Sequence, residues 1–333
     1  MPAEKAGSRR FVKDLGPGER IEDQIFLVAS KDLRTTTNGS LYIHVVLADR
    51  TGQLLSRIWQ ATEAQFQQIP EGGFLRFKGR TESYKGALQF IIEGQRPVDD
   101  AEINLGDFLP ATERDVEAMW QRVKEILRTI KNRDLLLLLK QFVEDEELVR
   151  RFKRAPAAMQ LHHAFLGGLL EHTLNLLELA LVVIPRYPEV SLDLVLAGVF
   201  LHDIGKTAEL LYDTSFRYSD GGQLVGHIVQ AALWVEQKSR DVEKQTGKPF
   251  PEDLKVALQH IIVSHHGQYA FGSPKLPASP EAIAVHYLDN IDAKIYTYLY
   301  EIRTADNPDS NFTDYIRSLE TKVYKKDVMG IRK

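Results

Sequence analysis

The sequence predicts a multidomain α and β protein, with an N-terminal five-stranded β-barrel followed by an all-α domain. Three observations lead there. Between residues 20 and 93 apolar and polar positions alternate with the period of a strand, and from about 112 to 305 the apolar spacing is helical. Between them, Gln95 to Pro110 carries Pro97, Asp99, Asp100, Glu102, Gly106 and Pro110 with no sustained period. A chain of 333 residues, 44% hydrophobic and 26% charged, is long enough for two separate cores. The expected divisions are an N-terminal arm (1–19), a barrel domain (20–96), a linker (97–111), a helical domain (112–305) and a C-terminal tail (306–333).

Residues 1–19 read as a loosely held arm. Arg20 to Ser30 alternates Ile21, Ile25, Leu27 and Ala29 with polar neighbours as a first strand, and Lys31 to Ser40 is expected to be a polar loop. Leu41 to Ala48 is the second strand, Asp49 to Gly52 a turn, and Gln53 to Trp59 the third strand. A short helix, Ala61 to Ile69, precedes a fourth strand, Phe74 to Glu82, and a fifth, Leu88 to Glu93. Five strands with one helix between the third and fourth is the order of an OB-fold. The run LADRTGQLLSRIW resembles the paired second and third strands of nucleic-acid-binding OB domains. Alternation puts Tyr42 with His44, Arg57 with Trp59, and Arg76 with Lys78 and Arg80 on shared faces. Such a surface stacks bases and tracks phosphates. The competing reading has Trp59 closing the barrel and the charges forming a solvated face.

Downstream, Thr112 is the expected cap of a helix through Val116, Met119, Trp120, Val123, Ile126 and Leu127. Further helices are expected at Arg133 to Phe142, Asp145 to Phe152, Phe165 to Ile184, Leu192 to His202, Leu224 to Lys238, Glu252 to Ser264 and Pro280 to Arg303. Thr214 to Gln223 reads as a polar loop, and the tail ends basic.

A formal net charge of −4 excludes a generally basic nucleic-acid binder, so any such contact needs a local stripe or a metal. With no cysteine, disulfides and thiolate-bound zinc are excluded, and a reducing cytoplasm is the expected address. The charged N-terminus and the shortness of Leu135 to Leu139 and Leu179 to Ile184 argue against a signal peptide and a membrane span. A homo-oligomer is left open.

Within the helical half, His202 and Asp203 close an apolar run and precede Ile204, Gly205 and Lys206. Imidazole and carboxylate together suit a metal ion, whereas the pair alone is also explained by a helix end with Gly205 as cap and Lys206 facing the dipole. The order His172, His202-Asp203, His227, His265-His266, Asp289 resembles binuclear HD-domain phosphohydrolases. That resemblance implies one ion on His172, His202, Asp203 and Asp289, and a second on Asp203, His227, His265 and His266. Asp292 competes with Asp289 for the last position, and otherwise supports a ligand imidazole or pairs with Lys294. His162 and His163 are expected at the mouth of the site, with His163 as a phosphate contact or proton donor. His260 and His286 read as supporting or core residues.

The segments HHAFLGGLLEHT, AGVFLHDIGKTAEL, GQLVGHI, IIVSHHGQYAFGSPK and HYLDNIDAK, placed after an OB domain, resemble the YhaM-type 3′-5′ exoribonucleases from about residue 10 to 305. The resemblance implies a hydrolase acting on single-stranded RNA or DNA. Mixed His and Asp ligands suit manganese, or iron, cobalt, nickel or zinc, better than magnesium. Paired cations would activate water at the phosphate, with Asp203 and Lys206 as catalytic residues. Two alternatives are a phosphodiesterase or phosphatase for a small nucleotide or cyclic dinucleotide, and a non-catalytic nucleic-acid-binding factor. The first lacks the Gly-Tyr-Pro signature of the cyclic-dinucleotide group; the second leaves the ligand set without a use.

Overall fold

A computed structural model of the chain describes residues 9–159, 163–213, 216–305 and 307–332. These fall into two compact units, one reaching to Pro110 and the other beginning at Ala111.

The first unit contains β1 (Arg20–Thr35), β2 (Leu41–Asp49), β3 (Gly52–Trp59), α1 (Glu63–Gln68), β4 (Phe74–Tyr84) and β5 (Ala87–Pro97). The strands close into a barrel in the order β1-β2-β3-β5-β4, with β4 pairing back onto β1. The β3–β5 pair is parallel and the others antiparallel, and closure removes every free strand edge. The strand period sends Phe26, Val28, Ile43, Val45, Leu47, Leu54, Phe77 and Phe90 into one buried core. Across β2 and β3, Tyr42 lies opposite Trp59 and His44 opposite Arg57. A reciprocal bond pair between Thr62 and Gln65 starts α1.

Three expectations for this unit fail. Lys31 to Thr35 is strand, not loop, because a bulge between Val28 and Ser30 turns β1 and keeps it paired with β2. The expected linker packs on the barrel: short 3₁₀ turns at Asp100–Glu102 and Leu105–Asp107 bring Phe108 (4% exposed) against Ile25, Leu27 and Ala48. This strap buries the outer face of β1, which is why Ile25 to Val28 are buried on both sides and the alternation breaks there. From Arg9 onward the arm is held too. The Arg9 guanidinium lies 4.3 Å from the Phe108 ring and 3.3 Å from Asp107, while Val12 donates to Asp49 at 2.6 Å.

The second unit comprises α2 (Val116–Leu127), α3 (Arg133–Val143), α4 (Glu146–Phe152), α5 (Gly168–Val183), α6 (Leu192–Leu201), α7 (Lys206–Glu209), α8 (Asp220–Leu224), α9 (Gly226–Thr246), α10 (Glu252–Ser264) and α11 (Pro280–Thr304). At the centre, α6 is buried continuously from Val195 to Leu201 and packs against α5, α10 and α11. An apolar surface all round is what a core helix requires. Trp120, Phe152 and Phe200 meet in one cluster, with ring centroids 5.9, 6.4 and 5.6 Å apart. Although no run was expected to be long enough to span a bilayer, α5 with its following turn is, by length and composition. Its Leu169, Leu170, Leu174, Leu176 and Leu177 are instead buried in the helical core.

Asp115, not Thr112, caps α2, accepting from the N–H groups of Glu117 and Ala118. The Thr112 hydroxyl donates to Glu171. Where a polar loop was expected, β6 (Leu210–Tyr212) and β7 (Phe216–Tyr218) form a hairpin followed by α8. Helix α9 continues past Lys238 to a left-handed Gly247, supported by the spaced pairs Glu236–Arg240 and Asp241–Lys244.

Asp145 tests this packing. Its carboxylate accepts from the N–H of Leu148 at 3.1 Å and from Lys238 at 2.9 Å. Burial pushes its pKa up, but Lys238 and the helix N–H outweigh this and hold it below the ordinary value. A depressed folded-state pKa contributes stability above about pH 4 that is lost as pH falls through the folded value. Asp145→Ala should therefore cost about 1–2 kcal/mol at pH 7 in urea melts. The gap to wild type should close in acid; one that stays constant down to acid pH would contradict the assignment.

Candidate metal centre

Five segments of the helical unit converge on one cleft. Helix α5 carries His172; the end of α6 presents His202 and then Asp203; α9 opens with His227; the end of α10 presents His265 and His266; and α11 contributes Asp289. Gly205 does not cap a helix in the left-handed conformation: its φ is −62°. A Cβ there would lie 2.1 Å from the carbonyl oxygen of His227, so glycine is what lets the His202-Asp203 turn sit against the start of α9. Gly267, at φ +76°, follows the His265-His266 pair and leaves room for the His286 ring, which a Cβ would overlap at 2.1 Å.

Every ligand-type imidazole has its Nδ1 on an acceptor. His202 bonds the Val199 carbonyl and His265 the Ile262 carbonyl, both at 2.7 Å. His266 bonds the Phe271 carbonyl at 2.7 Å, His227 the Glu209 carboxylate at 3.0 Å, and His172 the Asp292 carboxylate at 2.7 Å. With Nδ1–H donating, Nε2 of His202, His227, His265 and His266 is left as a lone pair, the form in which imidazole binds a metal, whereas His172 Nε2 faces Asp289. The Nε2 atoms of His202, His227 and His265 and Oδ1 of Asp203 are buried without a hydrogen-bond partner. Such orphaned polar atoms are costly unless an ion meets them, so the donor set fits divalent cations.

The carboxylates complete it. Asp203 Oδ1 lies 3.4 Å from His227 Nε2 and 3.5 Å from His265 Nε2, while Oδ2 lies 3.4 Å from His202 Nε2. One carboxylate thus addresses imidazoles on two sides. Asp289 is 3.1 Å from His172 Nε2. Lys206 donates to Asp203 Oδ2 at 2.6 Å.

Electrostatics follow from burial and pairing. Burial, then the neighbouring His265, pushes His266 down to about 4, and burial also lowers His265, so both are neutral and ready to ligate at pH 7. Burial opposes charge on His172, but Asp289 and Asp292 on its two nitrogens prevail and raise it to about 9. Burial likewise works against ionised Asp203; the Lys206 charge, followed by His202, holds it well below the carboxylate range.

Asp292 is an anchor: it accepts from His172, from His163 Nε2 at 2.9 Å and from Asn175 at 3.0 Å. It forms no ion pair with Lys294 among the described residues. His163, expected at the mouth as a phosphate contact or proton donor, is fully buried, and its ring stacks on Tyr296 at 4.2 Å. It faces Asp292, not the cleft, because the backbone turn there tucks the ring beneath α11. His162 lies outside the described residues. His260 accepts from the N–H of Ala278, and His286 bonds the His265 carbonyl.

On the barrel, the Tyr42 and Trp59 rings are 5.2 Å apart. The Arg57 guanidinium lies 5.6, 5.3 and 5.2 Å from the rings of Tyr42, Trp59 and Tyr84. Trp59 is 44% exposed and does not close the barrel. The two arginines of the expected cationic row are drawn into ion pairs, with Arg80 lining one pocket with Trp59. Arg76 is tied to Asp23 and Glu102 at 3.2 and 2.6 Å, Arg80 to Glu93 at 2.8 Å, and Lys78 lies across Gly94. Sequence reasoning missed Glu209 and Tyr84. Glu209 is seven residues past His202, and only the short α7 and the fold of α9 bring it to His227.

The HD domain family profile matches residues 169–294. Over 279 residues the chain is 32% identical to the 3′-5′ exoribonuclease YhaM of Bacillus subtilis (strain 168), covering 84% of this chain and 86% of that protein. It is 31% identical over 320 residues to the 3′-5′ exoribonuclease YhaM of Geobacillus sp. (strain WCH70), covering 94% of both. A protein of the same description from Listeria welshimeri is 32% identical over 290 residues, covering 85% of this chain and 88% of its own.

Metal removal provides a direct test of the centre. Chelation should lower the Tm of the wild type, and Mn²⁺ at a hundred times its Kd should restore about 2.7 kcal/mol of stability. Asp203→Ala should lose most of this response. An equal Mn²⁺-dependent shift in both proteins, read by thermal unfolding, would place the ions elsewhere.

Proposed function

The chain belongs to the YhaM family of 3′-5′ exoribonucleases, and we propose that its helical unit is the hydrolase centre, holding two divalent cations. His172, His202, Asp203 and Asp289 would hold one, and Asp203, His227, His265 and His266 the other. The observation that carries this reading is the convergence of imidazoles whose Nδ1 atoms are all anchored, with Nε2 of His202, His227 and His265 buried without a hydrogen-bond partner around Asp203. When bound, the cations supply Lewis acidity to a phosphodiester and the water that attacks it. Nitrogen and oxygen donors together favour manganese, with iron, cobalt, nickel or zinc as substitutes.

The protein's own groups do the rest. Asp203 presents its two oxygens to the two ligand groups, and Lys206 fixes that carboxylate while adding positive charge to the cleft it lines. Glu209 and Asp292 set the tautomers of His227 and His172. The substrate is RNA, entered from the 3′ end as a single strand; single-stranded DNA is a second substrate of the same reading. The Tyr42, Arg57 and Trp59 patch on the barrel favours a polymer over a small nucleotide, since stacked rings with a cation suit successive bases. A cytoplasmic address belongs to the same proposal, supported by the absence of cysteine.

With Mn²⁺ and 5′-labelled single-stranded RNA, the wild type should shorten the strand stepwise from the 3′ end, and Asp203→Ala should lose at least a thousandfold of that activity, about 4 kcal/mol. Endonucleolytic fragments, or turnover surviving in Asp203→Ala, would overturn the assignment. A parallel DNA substrate reports the strand preference.

Strand binding is separable. In an Asp203→Ala background, Trp59→Ala should weaken single-stranded RNA binding by roughly 1–3 kcal/mol in anisotropy titrations. Arg76→Ala should change it little, because that guanidinium is already neutralised by Asp23 and Glu102. The reverse ranking would move the binding face to β4.

A further inference from the structure

Two aromatic side chains stand at the cleft without an evident structural task. Tyr218 on β7 and Phe271 on the 3₁₀ turn Tyr269–Phe271 both line the cleft that holds Asp203, His227 and Asp289, and they are 43% and 62% exposed. Neither ring stacks on another aromatic ring among the described residues. Scattered exposed apolar groups need no explanation, but two rings at the rim of one polar cleft form a ligand surface.

The backbone that carries Phe271 is also held in place. Its backbone carbonyl accepts from Nδ1 of His266 at 2.7 Å, so the segment bearing the ring is fastened to one of the ligand imidazoles. The following Ser273 hydroxyl donates to the carbonyls of Val263 and Lys275 at 3.0 and 2.8 Å, tying the turn back to α10. A ring carried on backbone anchored beside a ligand imidazole can meet what lies one sugar away from the phosphate. The cleft has a volume of about 410 Å³, within the range of small-ligand sites. Its floor is imidazole and carboxylate, its rim is aromatic, and Lys294 on the same rim has no ion-pair partner among the described residues.

We propose that Phe271, with Tyr218, stacks on the base of the 3′-terminal nucleotide, so that the cleft recognises a nucleoside 5′-phosphate unit as a whole, independent of which base it carries. Every base offers a π-face, so this contact positions the end of any strand without reading its sequence. The inference rests on the exonuclease reading and names the substrate subsite of that centre. It also sets the order of events: the terminal base seats on the rim, and its 5′-phosphate then lies over the ligand cluster.

The test compares ends with and without a base. On RNA strands differing only in a 3′-terminal abasic residue, the wild type with Mn²⁺ should remove the abasic unit with a kcat/KM lower by about tenfold, equivalent to about 1.4 kcal/mol. Phe271→Ala should lose a similar factor on the intact end and little on the abasic end, and Phe271→Trp should recover it. A second readout needs no turnover. In calorimetry the Mn²⁺-loaded wild type should bind adenosine 5′-monophosphate about tenfold more tightly than ribose 5-phosphate, and Phe271→Ala should abolish the difference. Equal rates on both ends together with equal binding of the two phosphates would overturn the stack while leaving the exonuclease intact; no 3′ shortening of any strand would instead overturn the enzyme assignment. The wild-type comparison decides the proposal even if Phe271→Ala misfolds.

Discussion

The helical unit depends on one constraint: imidazole lone pairs aimed at a common point in a buried site are unstable unless each ring is fixed from behind. Left to rotate, a buried histidine would turn Nε2 to any available donor. The structure prevents this with acceptors that the helices already offer. His202 and His265 follow α6 and α10 and bond the carbonyls of Val199 and Ile262, three residues earlier in each case. Carbonyls in the last turn of a helix lack intrahelical partners, so a histidine just past the end satisfies one of them while its far nitrogen is set facing outward. The same local device is used at two helix ends, and packing α6 against α10 then brings the two nitrogens into one cluster, with ring centroids 5.0 Å apart.

The remaining rings are fixed by groups that charge and burial make strong acceptors. Asp292 holds His172 and Glu209 holds His227, and both carboxylates stay ionised despite partial burial because the imidazoles they face outweigh desolvation. This explains the apolar composition of α6. A helix buried on every side has no polar face of its own, so its rigidity comes from shape, and it can deliver His202 and Asp203 to a fixed position. Close backbone approach at Gly205 is the matching requirement on the other side, since α9 could not bring His227 in over a larger side chain.

Much of this was legible in the sequence. The order of the histidines and aspartates, the apolar run before His202 and the five alternating strands carry strong signals, because each repeats a period or a fixed spacing. What stayed hidden has no period. The strap from Asp99 to Phe108 is a string of short turns whose single anchor, Phe108, is indistinguishable from a loop aromatic until Arg9 and β1 are placed around it. His163 looked like a cleft residue because it is a histidine near others, yet its environment is set by α11, more than a hundred residues away in sequence. Glu209 belongs with these, since its role depends on a tertiary approach.

Charge accounting connects the two units without reference to their arrangement. The net charge is negative, and on β4 Arg76 is paired with Asp23 and Glu102 and Arg80 with Glu93. Long-range attraction for a polyanion from the protein alone is therefore weak. Short-range contacts must carry affinity: rings and Arg57 on the barrel, and rings with Lys294 around the cleft. The protein's own groups in the cleft are mixed in sign: Asp203 and Asp289 are ionised, and Lys206 stands against Asp203. Divalent cations held by this donor set would add positive charge where a phosphodiester has to lie, so the ions proposed to support hydrolysis would also draw the substrate in. On this reading the cleft would discriminate at two levels, with its pull on phosphate set by the bound cations and its hold on a strand end strengthened about tenfold when a base reaches the rim.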